Sequence, residues 1–253
     1  MTDYDKVIEI VKSTKKIVTD ENLRGQIEMK GEADFVTGVD LSISNYIKEK
    51  VLEIDDQIGF MSEEETNGVL PENRWILDPI DGTTNLVFDY RLSSVSLALL
   101  KNNEIVFGVV YNPFNDDLFT AIKGKGAFLN GKPLFCVDRE PKDSLIEFGA
   151  GSTRKGEAKG NFKIAESVFE DCLDIRRICS TALSISYIAA GRINGYFEKV
   201  LKPWDYAAAS LILTEAGGKI TDWNAEELQF DAPSGIICGT PKVYSYLLEK
   251  THN

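Results

Sequence analysis

Histidine is almost absent from the sequence: His252, one residue from the C-terminus, is the only one among 253 residues. A side chain so near a chain end is usually exposed to solvent and takes no part in catalysis. Its position argues against Ser-His-Asp and Cys-His nucleophilic sites and against histidine-ligated metals. We therefore expect acid-base chemistry to come from carboxylates, hydroxyls or metal-activated water.

Cysteine is sparse, and the N-terminus has no long apolar run. The four cysteines form no CxxC pair, which argues against a zinc site or a disulfide framework; they are Cys136, Cys172, Cys179 and Cys238. Charged residues interrupt the N-terminal segment throughout, unlike a signal peptide or a transmembrane helix. We expect a cytoplasmic protein with reduced thiols and no membrane association.

Cationic side chains are outnumbered as well. The 28 Lys and Arg residues face 40 Asp and Glu residues, which gives a formal net charge of -12. A chain of this charge repels a nucleic-acid backbone, so we expect no nucleic-acid partner. A small phosphorylated substrate would need cations close by to neutralise it, and this need favours a bound metal.

Apolar residues make up 43% of the chain, enough for one large domain or two closely joined halves. Helical spacing predicts two N-terminal helices, the second capped by Asp40. Strand patterns predict an antiparallel meander over 75–77, 95–100, 105–111 and 118–122. Beyond Asp138, strands alternate with helices predicted at 162–169, 181–190 and 204–216. We expect an N-terminal α+β half over residues 1–138 and a C-terminal α/β half over residues 139–253.

The segment 123–126, Lys-Gly-Lys-Gly, has the composition of a phosphate-binding loop. No helix is predicted after it, and a phosphate loop requires one. A plain hairpin turn is therefore favoured.

The strongest local signal is the run Asp-Pro-Ile-Asp-Gly-Thr-Thr-Asn at 78–85, directly after the strand at 75–77. Two aspartates three residues apart can converge on one side of a turn, where their oxygens hold a hard cation such as Mg²⁺. The amides of Gly82 and Thr83 would lie at a helix N-terminus, which favours a phosphate oxygen. An isolated Asp-Gly-Thr is more often an ordinary turn, but five polar groups at fixed spacing after a buried strand favour a binding site.

Two further acidic segments each have a local explanation as well as a functional one. The three glutamates at 63–65 follow an apolar run and would alone indicate a solvated loop. Asp205 begins an alanine-rich helix, where its charge complements the helix dipole. If these carboxylates share a pocket with the segment 78–85, they would repel one another without cations. Such a cluster makes physical sense chiefly as a metal site.

In the order and separation of its motifs, the chain resembles the inositol monophosphatase family of magnesium-dependent, lithium-sensitive sugar phosphatases. The resemblance rests on the segments 75–85 and 204–218 and extends over nearly the whole chain. It implies an α+β fold built as a layered α-β-α-β-α sandwich with a largely antiparallel first sheet, and it implies a homodimer. It also implies ligands for two or three Mg²⁺ ions, namely Glu63, Asp78, the carbonyl of Ile80, Asp81 and Asp205.

The resemblance assigns further roles around the ions. Asp40 and Thr83 match the family's water-orienting pair, which acts beside Glu63. The family's substrate-binding positions correspond to Gly82, Thr83, Ser180, Thr181, Ala182 and Glu198, the last matching a glutamate that binds polyol hydroxyls. The family's glycine before the two glutamates is Ser62 here, so Glu64 stays open as an alternative ligand to Glu63.

The acidic residues predict Mg²⁺-dependent hydrolysis of a small phosphomonoester by metal-activated water, and the resemblance implies that the substrate is inositol monophosphate or a similar polyol phosphate. Fructose 1,6-bisphosphate, a 3′,5′-bisphosphate nucleotide and histidinol phosphate are alternative substrates, because fold analogy does not settle a substrate. A non-catalytic, partner-binding role in transcription is the alternative from another class. The acidic composition disfavours direct contact with RNA in that role.

Overall fold

The structure is a computed structural model and describes residues 3–31, 34–65, 70–151 and 158–252. The helices within these residues are α1 (Tyr4–Ser13), α2 (Lys15–Val18), α3 (Glu21–Arg24), α4 (Gly38–Ile54), α5 (Thr83–Val87), α6 (Ala158–Phe169), α7 (Thr181–Ala189), α8 (Pro203–Glu215) and α9 (Pro241–His252), with a 3₁₀ turn at Pro141–Asp143. The strands are β1 (Ile27–Gly31), β2 (Asp34–Thr37), β3 (Gly59–Ser62), β4 (Arg74–Asp81), β5 (Ser94–Lys101), β6 (Glu104–Asn112), β7 (Asp117–Ile122), β8 (Ala127–Leu129), β9 (Lys132–Pro133), β10 (Leu145–Phe148), β11 (Asp174–Arg176), β12 (Gly195–Leu201), β13 (Lys219–Asp222) and β14 (Ser234–Gly239).

Two large sheets organise the molecule. The first has seven strands in the order β3-β4-β5-β6-β7-β8-β9, and every neighbouring pair is antiparallel except the parallel pair β3–β4. The second has five strands in the order β11-β10-β12-β14-β13, with parallel pairing on both sides of β10 and antiparallel pairing elsewhere. The strands β1 and β2 form a separate antiparallel hairpin.

Helices and sheets stack in five layers. Helices α1 and α4 pack on the outer face of the seven-stranded sheet, α7 and α8 lie between the two sheets, and α6 and α9 cover the outer face of the five-stranded sheet. An apolar core fills each interface between helices and sheet. This arrangement confirms the expected α-β-α-β-α sandwich. Because α8 contacts both sheets, they share a broad interface, and the division into halves at residue 138 stays a prediction.

Strand β4 is buried along its whole length because both of its faces are covered. Successive side chains of a strand point to opposite faces. Trp75 and Leu77 accordingly join the core beneath α1 and α4, whereas Ile76 joins the core around α7 and α8. By this alternation Asp78 lies on the face of Ile76, toward the layer that contains α8. The strand also continues to Asp81, four residues beyond the predicted end.

The predicted helices and the four meander strands are all present within a few residues of their expected ends. The cap of the second long helix was assigned wrongly, because Thr37, not Asp40, is the N-cap of α4. Asp40 lies at the third helical position and accepts hydrogen bonds from the amide and hydroxyl of Thr37, at 2.8 and 2.6 Å. The two residues form a reciprocal capping box, and the strand β2 occupies part of the predicted turn.

The Lys-Gly-Lys-Gly segment is a turn between the antiparallel strands β7 and β8, as predicted. The amides of Gly124 and Gly126 donate to the carboxylate of Glu215, each at 2.7 Å. A side chain of α8 therefore occupies the anion-binding groups of this loop. Among the described helices, none combines the length and the apolar character needed to cross a membrane.

Candidate functional site

Asp78 lies at the centre of an acidic cluster. Its side chain is only 2% exposed, and its Oδ1 is buried without a hydrogen-bond partner in the described part of the chain. Burial raises the pKa of Asp78 well above its usual value, and the charges of neighbouring carboxylates raise it further: Glu63, Asp81, Asp205 and Asp40. The charges of Asp40, Glu63, Asp81 and Asp205, all singled out from the sequence, therefore act on Asp78.

Glu63 and Glu64 act on different members of this cluster. The charge of Glu63 raises the pKa of both Asp78 and Asp205. The charge of Glu64 instead raises the pKa of Asp40. Both glutamates lie in the turn that follows β3 and are partly exposed.

Asp81 is held by the beginning of α7. The amides of Thr181 and Ala182 donate to its two oxygens at 2.9 and 3.0 Å, and the hydroxyl of Ser180 makes a short hydrogen bond to Oδ2. The hydroxyl of Ser94 adds a donor at 3.2 Å from the neighbouring strand. Burial raises the pKa of Asp81, and these donors oppose the rise. The amides expected to meet substrate hydroxyls thus bind a protein carboxylate.

Asp205 occupies the third position of α8, where its Oδ2 accepts from the amide of Lys202 at 2.7 Å. Pro203 is the first residue of α8, in agreement with the preference of proline for the first turn of a helix. Burial raises the pKa of Asp205 well above its usual value, the Lys202 amide opposes this rise, and repulsion from Asp81 adds to it.

Asp40 and Thr83 meet on the opposite side of the cluster. The Thr83 hydroxyl lies 3.3 Å from Oδ1 of Asp40 and 3.0 Å from the carbonyl oxygen of Ile80. Burial raises the pKa of Asp40 to about 6, and its hydrogen bonds from Thr37 act in the opposite direction. Asp40 is therefore a carboxylate that can exchange a proton near neutral pH.

Gly82 joins β4 to α5 with a φ of +87°, a backbone region that favours glycine. A Cβ at this position would lie 3.1 Å from the carbonyl oxygen of Cys179. The helix that follows has five residues, so local amides rather than a large helix dipole face the site. The side-chain amide of Asn85 donates through Nδ2 to the carbonyls of Leu92 and Ile178 at 2.8 and 2.6 Å, which ties α5 to the segment preceding α7.

A polar cavity of about 190 Å³ adjoins the cluster. Several of its lining residues are titratable or hydroxyl side chains, namely Asp81, Glu147, Thr181, Glu198 and Asp205, and Arg177 supplies a positive charge. The predicted polyol-binding Glu198 therefore shares one cavity with two of the predicted metal ligands. His252, by contrast, is exposed at the end of α9.

The donor set fits a hard divalent cation. Carboxylate and carbonyl oxygens are the ligands that Mg²⁺ prefers. The buried Asp78 oxygen has no hydrogen-bond partner among the described residues, and it lies among like charges that a cation would neutralise. Within the described residues no three His, Cys, Asp or Glu side chains close around one point as in a formed metal site. Hydrogen bonds to the chain hold oxygens of Asp40, Asp81 and Asp205 in place.

Several residues of the site were not found from the sequence. Glu147 is 2% exposed, lines the cavity and accepts from the hydroxyl of Ser184 at 2.6 Å. Tyr196 donates to Glu198, and Ser94 donates to Asp81. The only sequence signal available for Tyr196 is its spacing of two from Glu198 on one strand, which puts both on the same face.

Comparison with known proteins identifies the chain as a phosphoric monoester hydrolase. It belongs to the inositol monophosphatase family, whose model matches residues 3–253. An inositol-1-monophosphatase of Rhizobium meliloti (strain 1021) is 36% identical over 228 residues, covering 88% of this chain and 85% of that protein. The Nus factor SuhB of Escherichia coli (strain K12) is 34% identical over 226 residues, covering 88% and 84%. The solved structure of the extragenic suppressor protein suhB from Bartonella henselae has a TM-score of 0.90 at 31% identity, covering 98% of this chain and 97% of that one.

Proposed function

We propose that the protein hydrolyses a small phosphomonoester in a Mg²⁺-dependent reaction, and that its substrate is inositol monophosphate or a similar polyol phosphate. The observation that carries this proposal is the buried Asp78 oxygen, which has no hydrogen-bond partner among the described residues and lies among four other carboxylates. An unpaired buried charge is costly, and like charges nearby add to the cost. A bound cation would remove both penalties at once.

The residues that would hold the ions are Glu63, Asp78, the carbonyl of Ile80, Asp81 and Asp205. We assign Glu63 rather than Glu64, because its charge acts on Asp78 and Asp205. Bound Mg²⁺ would supply positive charge that neutralises the phosphoryl group and lowers the pKa of water. Kinship with inositol-1-monophosphatases supports this assignment.

The chain's own residues position the nucleophile and the phosphoryl group. The hydroxyl of Thr83 orients an attacking water, and the water's proton can pass through Thr83 Oγ1 to Oδ1 of Asp40, 3.3 Å away. The raised pKa of Asp40 suits it to receive that proton near neutral pH. The amides of Gly82 and Thr83 donate to phosphate oxygens.

The leaving group occupies the cavity beside the cluster. Glu198 accepts hydrogen bonds from polyol hydroxyls there. Thr181 lines the same cavity, and Ser180, Thr181 and Ala182 hold Asp81 in place through its two oxygens. Ser180, Thr181 and Ala182 thus contribute to substrate binding mainly through Asp81, whose carboxylate they hold in position.

Phosphate release from a panel of substrates at millimolar Mg²⁺ tests the proposal. We expect release from inositol monophosphate to exceed release from fructose 1,6-bisphosphate, a 3′,5′-bisphosphate nucleotide and histidinol phosphate, and to stop in excess EDTA. Asp78→Asn should be inactive with its fold intact by circular dichroism, whereas the exposed Asp56→Asn should match the wild type. Full activity in EDTA, or an active Asp78→Asn variant, would contradict the proposal.

A second function is favoured by one finding, the 34% identity to a Nus factor. We propose that a partner-binding role in transcription could coexist with catalysis on the same chain. A pull-down with the inactive Asp78→Asn variant separates partner binding from catalysis. Retention of a macromolecular partner by the wild type and the variant alike would support this role, and recovery of no partner by either would reject it.

The homodimer stays a prediction, to be checked by light scattering.

A further inference from the structure

The carboxylate of Glu198 lies in a recess that only a glycine permits. A Cβ added at Gly149 would stand 1.9 Å from Oε2 and 2.5 Å from Oε1 of Glu198. The amide of Gly151 donates to Oε1 at 3.0 Å. Glu198 itself is 8% exposed and lines the cavity beside Asp81. The backbone after β10 therefore fixes one side of this carboxylate.

The other side is fixed by a tyrosine on the same strand. Tyr196 is 4% exposed and donates a short hydrogen bond to Oε2 of Glu198. Its oxygen also lies 3.2 Å from Oγ1 of Thr181, whose amide donates to Asp81. A buried row of polar groups thus runs from Asp81 through Thr181 and Tyr196 to Glu198. It links the end of the cavity that faces the acidic cluster to the end that faces the leaving group.

An ionised carboxylate can accept about four hydrogen bonds. Gly151 and Tyr196 each take one position on Glu198, one on each oxygen. Because Glu198 lines the cavity, its remaining acceptor positions could receive hydrogen bonds from the hydroxyl groups of a ligand there. Without the Tyr196 hydroxyl, Oε2 of Glu198 would lose this donor, and the carboxylate would be held less firmly, by the Gly151 amide on Oε1.

We propose that Tyr196 is a positioning residue that orients Glu198 toward leaving-group hydroxyls and thereby sets the preference for polyol phosphates. This inference rests on the proposed function. Tyr196 does not touch the reacting atoms; it acts through Glu198.

The test compares Tyr196→Phe with the wild type on two substrates, inositol 1-phosphate and phenyl phosphate, whose leaving group has no further hydroxyl. We expect Tyr196→Phe to lower kcat/KM for inositol 1-phosphate about tenfold through KM, the value of one hydrogen bond to a charged group. Hydrolysis of phenyl phosphate should be unchanged. Tyr187→Phe is the matched control, because it removes a hydroxyl from another mostly buried tyrosine, one that contacts Phe119 and Arg192.

A double-mutant cycle with Glu198→Ala separates positioning from a general structural role. If Tyr196 acts through Glu198, Tyr196→Phe should have no further effect in the Glu198→Ala background. An equal loss in both backgrounds, or an equal loss on both substrates, would overturn the inference. Gly149→Ala gives a second approach, because its Cβ must displace the Glu198 carboxylate; it should reproduce the substrate-selective loss. If the wild type itself shows no preference for inositol 1-phosphate over phenyl phosphate, the proposed substrate is wrong. That result differs from a wrong role for Tyr196, in which the wild type keeps its preference and Tyr196→Phe does not alter it.

Discussion

Replacing Asp40 with Asn should stabilise the folded protein at neutral pH while impairing catalysis. Burial raises the pKa of Asp40 from 3.8 to about 6, and each pKa unit corresponds to about 1.4 kcal/mol. Below pH 4 the carboxyl is protonated in both states and has no cost. Between pH 4 and pH 6 the unfolded chain loses the proton before the folded protein does, so stability falls as pH rises. Above pH 6 the ionised group costs the folded state about 3 kcal/mol.

Asparagine carries no charge at any of these pH values, so the variant escapes this cost. Its carbonyl oxygen can still accept from the amide of Thr37, which preserves most of the helix cap. The free energy of unfolding of Asp40→Asn minus that of the wild type should therefore grow by about 2 kcal/mol between pH 4.5 and pH 7.5.

Urea unfolding at several pH values, in EDTA so that no cation screens the cluster, measures this difference. Asp20→Asn is the control, since it also removes one negative charge at a helix cap, the partly exposed start of α3. A difference between Asp40→Asn and the wild type that stays constant with pH would refute the reasoning. So would a variant that is less stable than the wild type at pH 7.5.

Three further results are expected. Asp81→Asn should lose at least about 100-fold in kcat/KM, because the change removes a charge and weakens a proposed ligand; near-wild-type phosphate release would contradict it. Lithium chloride should inhibit phosphate release at concentrations where potassium chloride does not, and equal effects of the two salts would count against the resemblance to lithium-sensitive phosphatases. Glu215→Ala should lower the free energy of unfolding by about 1 to 3 kcal/mol, because the amides of Gly124 and Gly126 lose their acceptor. Urea unfolding measures that loss, and an altered KM would show that this turn contributes to the site.

The fold could be predicted largely because its signals are local. Apolar runs bounded by turn residues define β4 to β7, and helical spacing together with terminal glycines defines α7 and α8. Elements with weak local signals were missed, among them the hairpin β1–β2 and the strands β10 and β11. These short strands depend on neighbours far along the chain, because β10 pairs with β11 and β12. Tertiary context rather than propensity decides such segments.

The carboxylates of the acidic cluster, unlike Glu147 of the cavity, could be predicted from the sequence, because each lies at the end of a strand or in the first turn of a helix. Their hydrogen-bond partners could not. Ser180, Thr181 and Ala182 lie about 100 positions from Asp81, and no spacing rule connects residues that far apart. The resemblance identified these residues as substrate-binding, while the structure shows them holding a carboxylate.

Asp81 shows how far chemistry constrains such a site. Its two oxygens accept from four donors, which favour the ionised form although burial and neighbouring charges disfavour it. Asp78 lies on the same strand, and one of its oxygens has no donor within the part of the chain that the structure describes. If the cluster served only to support the fold, both aspartates would be expected to have donors, since an unsatisfied buried oxygen lowers stability. One fully satisfied carboxylate beside one unsatisfied carboxylate is the asymmetry expected of a site in which the chain holds one ligand in place and leaves the other for a cation.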